Sequence, residues 1–219
     1  MVDYARARRT MVDCQVRPSD VTDLRIIAAM LDVPRELFVT PSRRAIAYLD
    51  LDVPVADGSL RALLKPMVFA KLLQAAGIGE TDRVLDVGCA TGYSSAVLAK
   101  LAGNVVALDE DSALCRSASE NLAALGVHVT VATGPLAAGW LDEAPYDAIL
   151  LEGASEVAPD RLLAQLKDGG RLLAVIGSGP MGKATIYRKA AEGRVTALPL
   201  FDASAPPLPG FAKAPAFVF

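Results

Sequence analysis

Val84-Leu85-Asp86-Val87-Gly88-Cys89-Ala90-Thr91-Gly92 joins a buried-strand pattern to a turn at which backbone can approach a ligand. Val84, Leu85 and Val87 make the strand, and Asp86 sets a carboxylate near its carboxyl end. Gly88 and Gly92 drop Cβ atoms where the chain has to turn into a helix expected over residues 93–101. The first turn of such a helix presents free N–H groups to an anionic group. Two glycines alone fit an ordinary strand-to-helix turn equally well, so the surrounding sequence decides the reading.

Downstream, strand and helix patterns alternate: strands over 104–108 and 128–132, separated by a helix over 111–125 with Leu114, Ala118, Leu122 and Leu125 on one face. A further strand at 146–151, a helix at 159–166 and a strand at 171–176 after the Gly169-Gly170 turn complete a βαβ series. This makes the chain an α/β protein with a mostly parallel sheet. Residues 184–188 and 213–219 are expected to pair as a terminal antiparallel hairpin across Pro206-Pro207-Leu208-Pro209-Gly210.

Upstream, the reading is helical. Helices are expected over 4–15 and over 23–31, the second capped by Thr22, with a helical turn at 41–48 and an irregular loop at 49–58. Pro66 suits the first position of another helix that Gly77 and Gly79 close. The organisation expected is one domain over 1–219, in which residues 1–79 form a helical cap and residues 80–219 an α/β core.

The chain has 219 residues, 53% of them hydrophobic and 21% charged, which is ample for a core. A net charge of -3 predicts no general affinity for nucleic acid, and the run containing Arg6, Arg8, Arg9 and Arg17 reads as a solvated helix face. Three cysteines without a CxxC pair, and a single histidine, predict neither a disulfide framework nor a metal site. A reduced cytoplasm fits that usage. Lys65, Lys71 and Glu152 interrupt the apolar stretches before they could span a bilayer, so no membrane location is expected.

Asp109 ends the second strand, where a doubly wound sheet places an acid to receive ribose hydroxyls. Two nucleoside cofactors compete for such a site. A dinucleotide prefers G-x-G-x-x-G, whereas S-adenosylmethionine enzymes carry an acid two positions before G-x-x-x-G. Asp86-Val87-Gly88-Cys89-Ala90-Thr91-Gly92 suits the second. The cofactor set read from the chain is therefore Asp86, Gly88, Cys89 and Gly92 in the loop, with Asp109 and Glu110 after the next strand.

Met11-Val12-Asp13 with Gln15 and Arg17, Val33-Pro34-Arg35-Glu36 with Phe38-Val39, Ala47-Tyr48, residues 84–93, Gly139-Trp140, residues 144–149 and residues 163–172 together resemble the protein-L-isoaspartate O-methyltransferase family of class I methyltransferases. The resemblance implies a Rossmann-like seven-stranded sheet with an amino-terminal helical extension and S-adenosylmethionine as methyl donor. It also implies a protein or peptide substrate bearing an isoaspartyl carboxylate, methylated in the course of protein repair. Asp86, Gly88 and Gly92 would face the methionine part of the donor, and Asp109 its ribose.

The chain departs from that family at two motifs. Leu64-Lys65-Pro66 stands where the family has Ser-Gln-Pro, and Gly134-Pro135-Leu136 where it has Gly-Asp-Gly; the resemblance thereby implies Thr133 and Gly134 as further cofactor residues, with the Thr133 hydroxyl partly replacing a carboxylate near the adenine. On the acceptor side the candidate catalytic residues are Lys65, which would attract an acidic acceptor, and Glu152, which ends a strand at the cofactor edge and would act as a base or repel a carboxylate. Besides isoaspartyl methylation, three readings stay open at this level: a diverged methyltransferase with another acceptor, a catalytically inactive cofactor-binding partner protein, and a nicotinamide-dependent oxidoreductase.

Overall fold

The alternation that begins at Arg83 closes into one seven-stranded sheet in the computed structural model, which describes residues 2–177 and 179–213. The amino-terminal region holds helices α1 (Tyr4–Met11) and α2 (Leu24–Asp32), a two-stranded antiparallel pair β1 (Val53–Pro54) and β2 (Ala62–Leu63), and helix α3 (Pro66–Ala76). There follow β3 (Arg83–Val87), α4 (Tyr93–Leu98), β4 (Asn104–Asp109), α5 (Ser112–Ala124) and β5 (Thr130–Thr133). The chain then forms β6 (Tyr146–Ser155), α6 (Asp160–Ala164), β7 (Leu166–Ile176), β8 (Lys183–Lys189) and β9 (Val195–Asp202).

Across the sheet the order is β5-β4-β3-β6-β7-β8-β9, with β3 to β7 parallel and the last two strands antiparallel. The chain steps outward from β3 to β5 and returns to β6 on the other side of β3. That reversal opens a crevice at the carboxyl ends of the strands, where ligands of such sheets bind. Alternation along β3 sends Val84 into the core shared with the amino-terminal helices and Leu85 and Val87 into the core on the opposite face. Asp86 therefore points toward the cap.

Local chemistry sets most element ends. Asp111 caps α5 by accepting the N–H groups of Ala113 and Leu114, and Gly77 closes α3 in the left-handed conformation at φ +57°. Asp23, not Thr22, caps α2: its Oδ1 accepts from Arg25 N at 2.8 Å, and Gln74 Oε1 holds the entry by accepting the N–H groups of both Thr22 and Asp23. The first helix stops at Met11 and continues to Val16 as a wider π-type turn.

Three expectations are corrected. The cap is not purely helical, since Val53 pairs with Leu63 and Pro54 with Ala62 within the stretch expected to be irregular. Strand β7 starts at Leu166 and absorbs Gly169-Gly170; the register jumps from Tyr146↔Leu166 to Ala148↔Arg171, and Gly169 at φ +81° supplies the bulge. Strand β8 pairs with β9 rather than with residues 213–219, of which 214–219 lie outside the described residues. A short connection through Glu192 and Gly193, both at positive φ, makes that local pairing cheap in chain entropy. The proline-rich stretch instead folds back along β6, with Ala154 N donating to Pro206 O at 2.7 Å and Leu208 N to Ala154 O at 2.9 Å.

Arg171 on β7 ties the cap to the sheet. Its guanidinium donates to the carbonyls of Ala76 (2.6 Å) and Gly77 (2.8 Å), which α3 leaves without helical partners, and pairs with Asp82 at 2.5 Å. Arg171→Ala should lower unfolding free energy by about 3 kcal/mol, because Asp82 and two helix-end carbonyls lose their donor together. Urea unfolding measures this, and a change within the noise of a surface substitution would refute the role.

Candidate active site

Strands β3 and β4 place two carboxylates side by side at the crevice, and the two are held differently. Asp86 is fully buried; its Oδ2 accepts from Ser94 Oγ at 2.7 Å and Ser95 Oγ at 2.5 Å, both on the first turn of α4. Its Oδ1 is buried and has no partner. Burial pushes the Asp86 carboxyl up to about 6, the two serine hydroxyls pull it down, and Asp109 adds to the rise.

Asp109 is also fully buried, but every edge of it is occupied. Arg61 donates from Nε to Oδ2 at 3.0 Å and from Nη2 to Oδ1 at 3.1 Å, while the N–H groups of Ala90 and Asp111 donate at 3.1 and 3.2 Å. Glu110, exposed on the outer side, lies 3.6 Å from the same Arg61 guanidinium.

The loop between β3 and α4 turns through three residues at positive φ: Gly88 (+83°), Ala90 (+50°) and Gly92 (+94°). A Cβ on Gly92 would sit 3.3 Å from the Ala118 Cβ, so this glycine also lets α5 approach. The loop's own amides are spent internally. Gly88 N and Cys89 N both donate to Leu108 O, and Ala90 N to Asp109. These bonds fix the shape of the loop, and the first backbone N–H of α4 to be tied back along the chain is that of Ala96, which donates to Gly92 O at 2.9 Å.

Beside the loop, Glu152 on β6 is buried with Oε1 unpartnered, and its carboxyl is raised well above the usual glutamate value by burial and by Asp86, against the opposing charge of Arg35. Burial likewise raises the Cys89 thiol, so it carries no thiolate nucleophile. Leu208 covers the turn; its side chain would lie 2.9 Å from a Cβ on Gly88 and 2.6 Å from one on Gly153.

Asp86, Gly88, Cys89, Gly92 and Glu152 therefore meet around one turn, and Asp109 and Glu110 stand next to them on β4. Thr133 and Gly134 follow through the β4–β5 register, Asp109↔Thr133, with Gly134 N bonded to Asp109 O at 3.0 Å; Thr133 itself is exposed. Lys65 stands apart. Its Nζ reaches Ser204 Oγ at 3.1 Å at the start of α3, and it does not line the cavity that Glu152 lines.

Reading the chain alone passes over Arg61, Ser94, Ser95, Leu208 and the role of Arg35. Ser94 and Ser95 carry a usable signal, two hydroxyls at the start of the helix that follows the glycine loop, eight and nine residues after a strand-end acid. Arg61 and Leu208 carry none, because they reach the site from 48 residues before Asp109 and from the far end of the chain.

The family model for protein-L-isoaspartate(D-aspartate) O-methyltransferase (PCMT) matches residues 7–202. The chain is 40% identical over 192 residues to a protein-L-isoaspartate O-methyltransferase of Methylorubrum extorquens, covering 88% of this chain and 82% of that one. It is 37% identical over 206 residues to one of Methanoculleus marisnigri, covering 94% and 92%. Among solved structures, a protein-L-isoaspartate O-methyltransferase superposes with a TM-score of 0.81 at 24% identity over 93% of this chain and 66% of that one, a likeness of fold. A Plasmodium falciparum protein described as a candidate member, in complex with S-adenosyl-L-homocysteine, gives 0.75 at 18% identity over 94% and 97%.

The raised Asp86 carboxyl has a measurable sign. The folded protein holds a proton on Asp86 between the unfolded value near 3.8 and about 6, so stability is fully present below pH ~4 and falls as pH rises to ~6. Asp86→Asn should reduce that fall by roughly 3 kcal/mol, as two pKa units imply. Urea midpoints at pH 4 and pH 6.5 for both proteins test it, and an equal fall in the two would show that Asp86 is not the group responsible.

Proposed function

The chain belongs to the protein-L-isoaspartate(D-aspartate) O-methyltransferase family, and from that premise we propose that it transfers a methyl group from S-adenosylmethionine to the free carboxylate of isoaspartyl residues in damaged protein. One observation carries the reading. Buried Asp86 and Asp109 end adjacent parallel strands on either side of the Gly88 turn, at the point where the strand order reverses.

The residues fit this donor by their own chemistry. Asp86 keeps one buried oxygen without a partner, an acceptor for a cationic group such as an α-ammonium. Asp109 offers two oxygens to a ribose diol once Arg61 turns away, with Glu110, Thr133 and Gly134 alongside. When bound, S-adenosylmethionine supplies a methyl group made electrophilic by its sulfonium sulfur.

A carboxylate acceptor with a pKa near ~4 is ionised at neutral pH, so the chain need supply no general base. Its work is alignment and exclusion of water, for which the buried residues around Gly88 and Leu64 are suited. Burial raises the Glu152 carboxyl well above the usual glutamate value, which favours its neutral form and so weakens both its repulsion of an anionic acceptor and any role as a base. Lys65, half-buried at the mouth of α3, acts at longer range by drawing acidic peptide toward the cap. We assign the organisation to one methyltransferase domain over 1–219, with residues 1–79 as cap and 80–219 as donor-binding core. A cytoplasmic, reducing location suits the unpaired Cys14, Cys89 and Cys115.

Incubation with radiolabelled S-adenosylmethionine and either an isoaspartyl peptide or its aspartyl twin should give base-labile label on the isoaspartyl peptide alone. Transfer to neither, with S-adenosylhomocysteine binding intact, would overturn the proposed acceptor. Because Arg61 competes with ribose for Asp109, Arg61→Gln should bind S-adenosylhomocysteine several-fold more tightly and Asp109→Ala far more weakly. Calorimetry showing both variants at wild-type affinity would remove Asp109 from the donor site.

A further inference from the structure

Arg35 has no accessible surface, and only two of its three guanidinium nitrogens are satisfied. Nε donates to Ala47 O and Nη2 to Leu64 O, each at 2.7 Å, and the guanidinium carbon lies 4.7 Å from the centre of the Tyr93 ring. Nη1 has no partner. A buried cation with an unmet N–H is costly, and the cost is recovered when an anion or water takes that proton.

The space beside it is a small cavity of about 10 Å³, room for one water, walled by Arg35, Leu63, Leu64, Tyr93, Glu152 and the residues 88–90 of the loop. Two more unpartnered buried atoms belong to its walls, Tyr93 Oη and Glu152 Oε1. Burial raises the Tyr93 phenol, so it keeps its hydrogen. Glu152 faces Asp86 from β3 and Arg35 from the cap, with Tyr93 on α4 and Cys89 in the loop nearby; burial and Asp86 outweigh Arg35 and push its carboxyl toward the protonated form. All three groups are hydrogen-bond donors.

We propose that this cavity is the acceptor's carboxylate receptor, with Arg35 Nη1, Tyr93 Oη–H and the Glu152 carboxyl donating to the carboxylate beside the Gly88 turn. The inference deepens the proposed function and rests on it, since it presupposes a carboxylate acceptor. Leu64 contributes no hydroxyl here, so the charge of the acceptor is met by the guanidinium behind it. A carboxylate is larger than one water, and its entry displaces Leu63, which ends β2 in the small cap pair, and Leu64 just after it.

The test is titration of an isoaspartyl peptide into protein saturated with S-adenosylhomocysteine, by calorimetry, with thermal melts confirming the fold of each variant. Tyr93→Phe and Glu152→Ala should each weaken peptide binding about tenfold while leaving S-adenosylhomocysteine affinity unchanged, and Glu152→Gln should restore most of the loss because its amide also donates. Arg35→Lys should lose more, and if it fails to fold the Tyr93 and Glu152 variants decide. Wild-type peptide affinity in both would overturn the proposal and leave the cavity to a structural water. Weakened S-adenosylhomocysteine binding with peptide affinity unchanged would assign the cavity to the donor's own carboxylate, and so would also overturn it, as would wild-type protein that binds no isoaspartyl peptide. Peptide binding without methyl transfer has a different meaning: the proposed activity fails and the carboxylate receptor stands.

Discussion

Burying the Asp109 carboxylate at the end of β4 demands donors on all sides, and meeting that demand ties the site together. The four groups that satisfy it come from the cap (Arg61), the loop after β3 (Ala90 N) and the turn into α5 (Asp111 N). Because an ionised carboxylate without such partners would cost several kcal/mol, the loop cannot relax and the cap cannot drift without breaking the set. The left-handed Ala90 and the spent amides of Gly88 and Cys89 are the backbone consequence. The same arrangement makes Arg61 a resident competitor for whatever Asp109 is to hold.

A second consequence concerns how the carboxyl groups are matched. Three of them, those of Asp86, Asp109 and Glu152, crowd one end of the sheet in different surroundings. Asp109 is paired with a guanidinium, Asp86 is partly matched by two serine hydroxyls, and Glu152 has a buried oxygen without a partner and a carboxyl raised well above the usual glutamate value by burial. A crevice with this distribution holds a cationic ligand at Asp86 without repelling an anionic one near Glu152. Methyl transfer from a cationic donor to an anionic acceptor needs both.

Much of this was legible in the residue order. The strand-loop-helix at 84–92, the acid at 109, the α/β alternation and the cysteine usage led to a parallel sheet and a nucleoside-type donor, and the quoted motifs led to the family. Those features are local: hydrophobic alternation, glycines at turns and acids at strand ends each act within a few residues. The errors were of the opposite kind. The pairing of β8 with β9, the small β1–β2 sheet and the absorption of Gly169-Gly170 into β7 depend on which segments compete for an edge, and residue patterns do not rank such competitors.

What the sequence by itself determined is the chemistry available to the crevice: two acids, a glycine turn and a glutamate on adjacent strands of a parallel sheet. What only the tertiary structure decided is the condition of those groups. Arg61 lies 48 residues before the acid it neutralises, Arg35 lies 58 residues before the tyrosine it stacks on, and Leu208 reaches Gly88 from the far end of the chain. Charge and hydrogen bonding act over a few ångströms in space without regard to separation along the chain, so shifted carboxyl groups, orphaned polar atoms and the small cavity beside Gly88 exist only once the cap and the carboxyl-terminal segment have packed against the sheet.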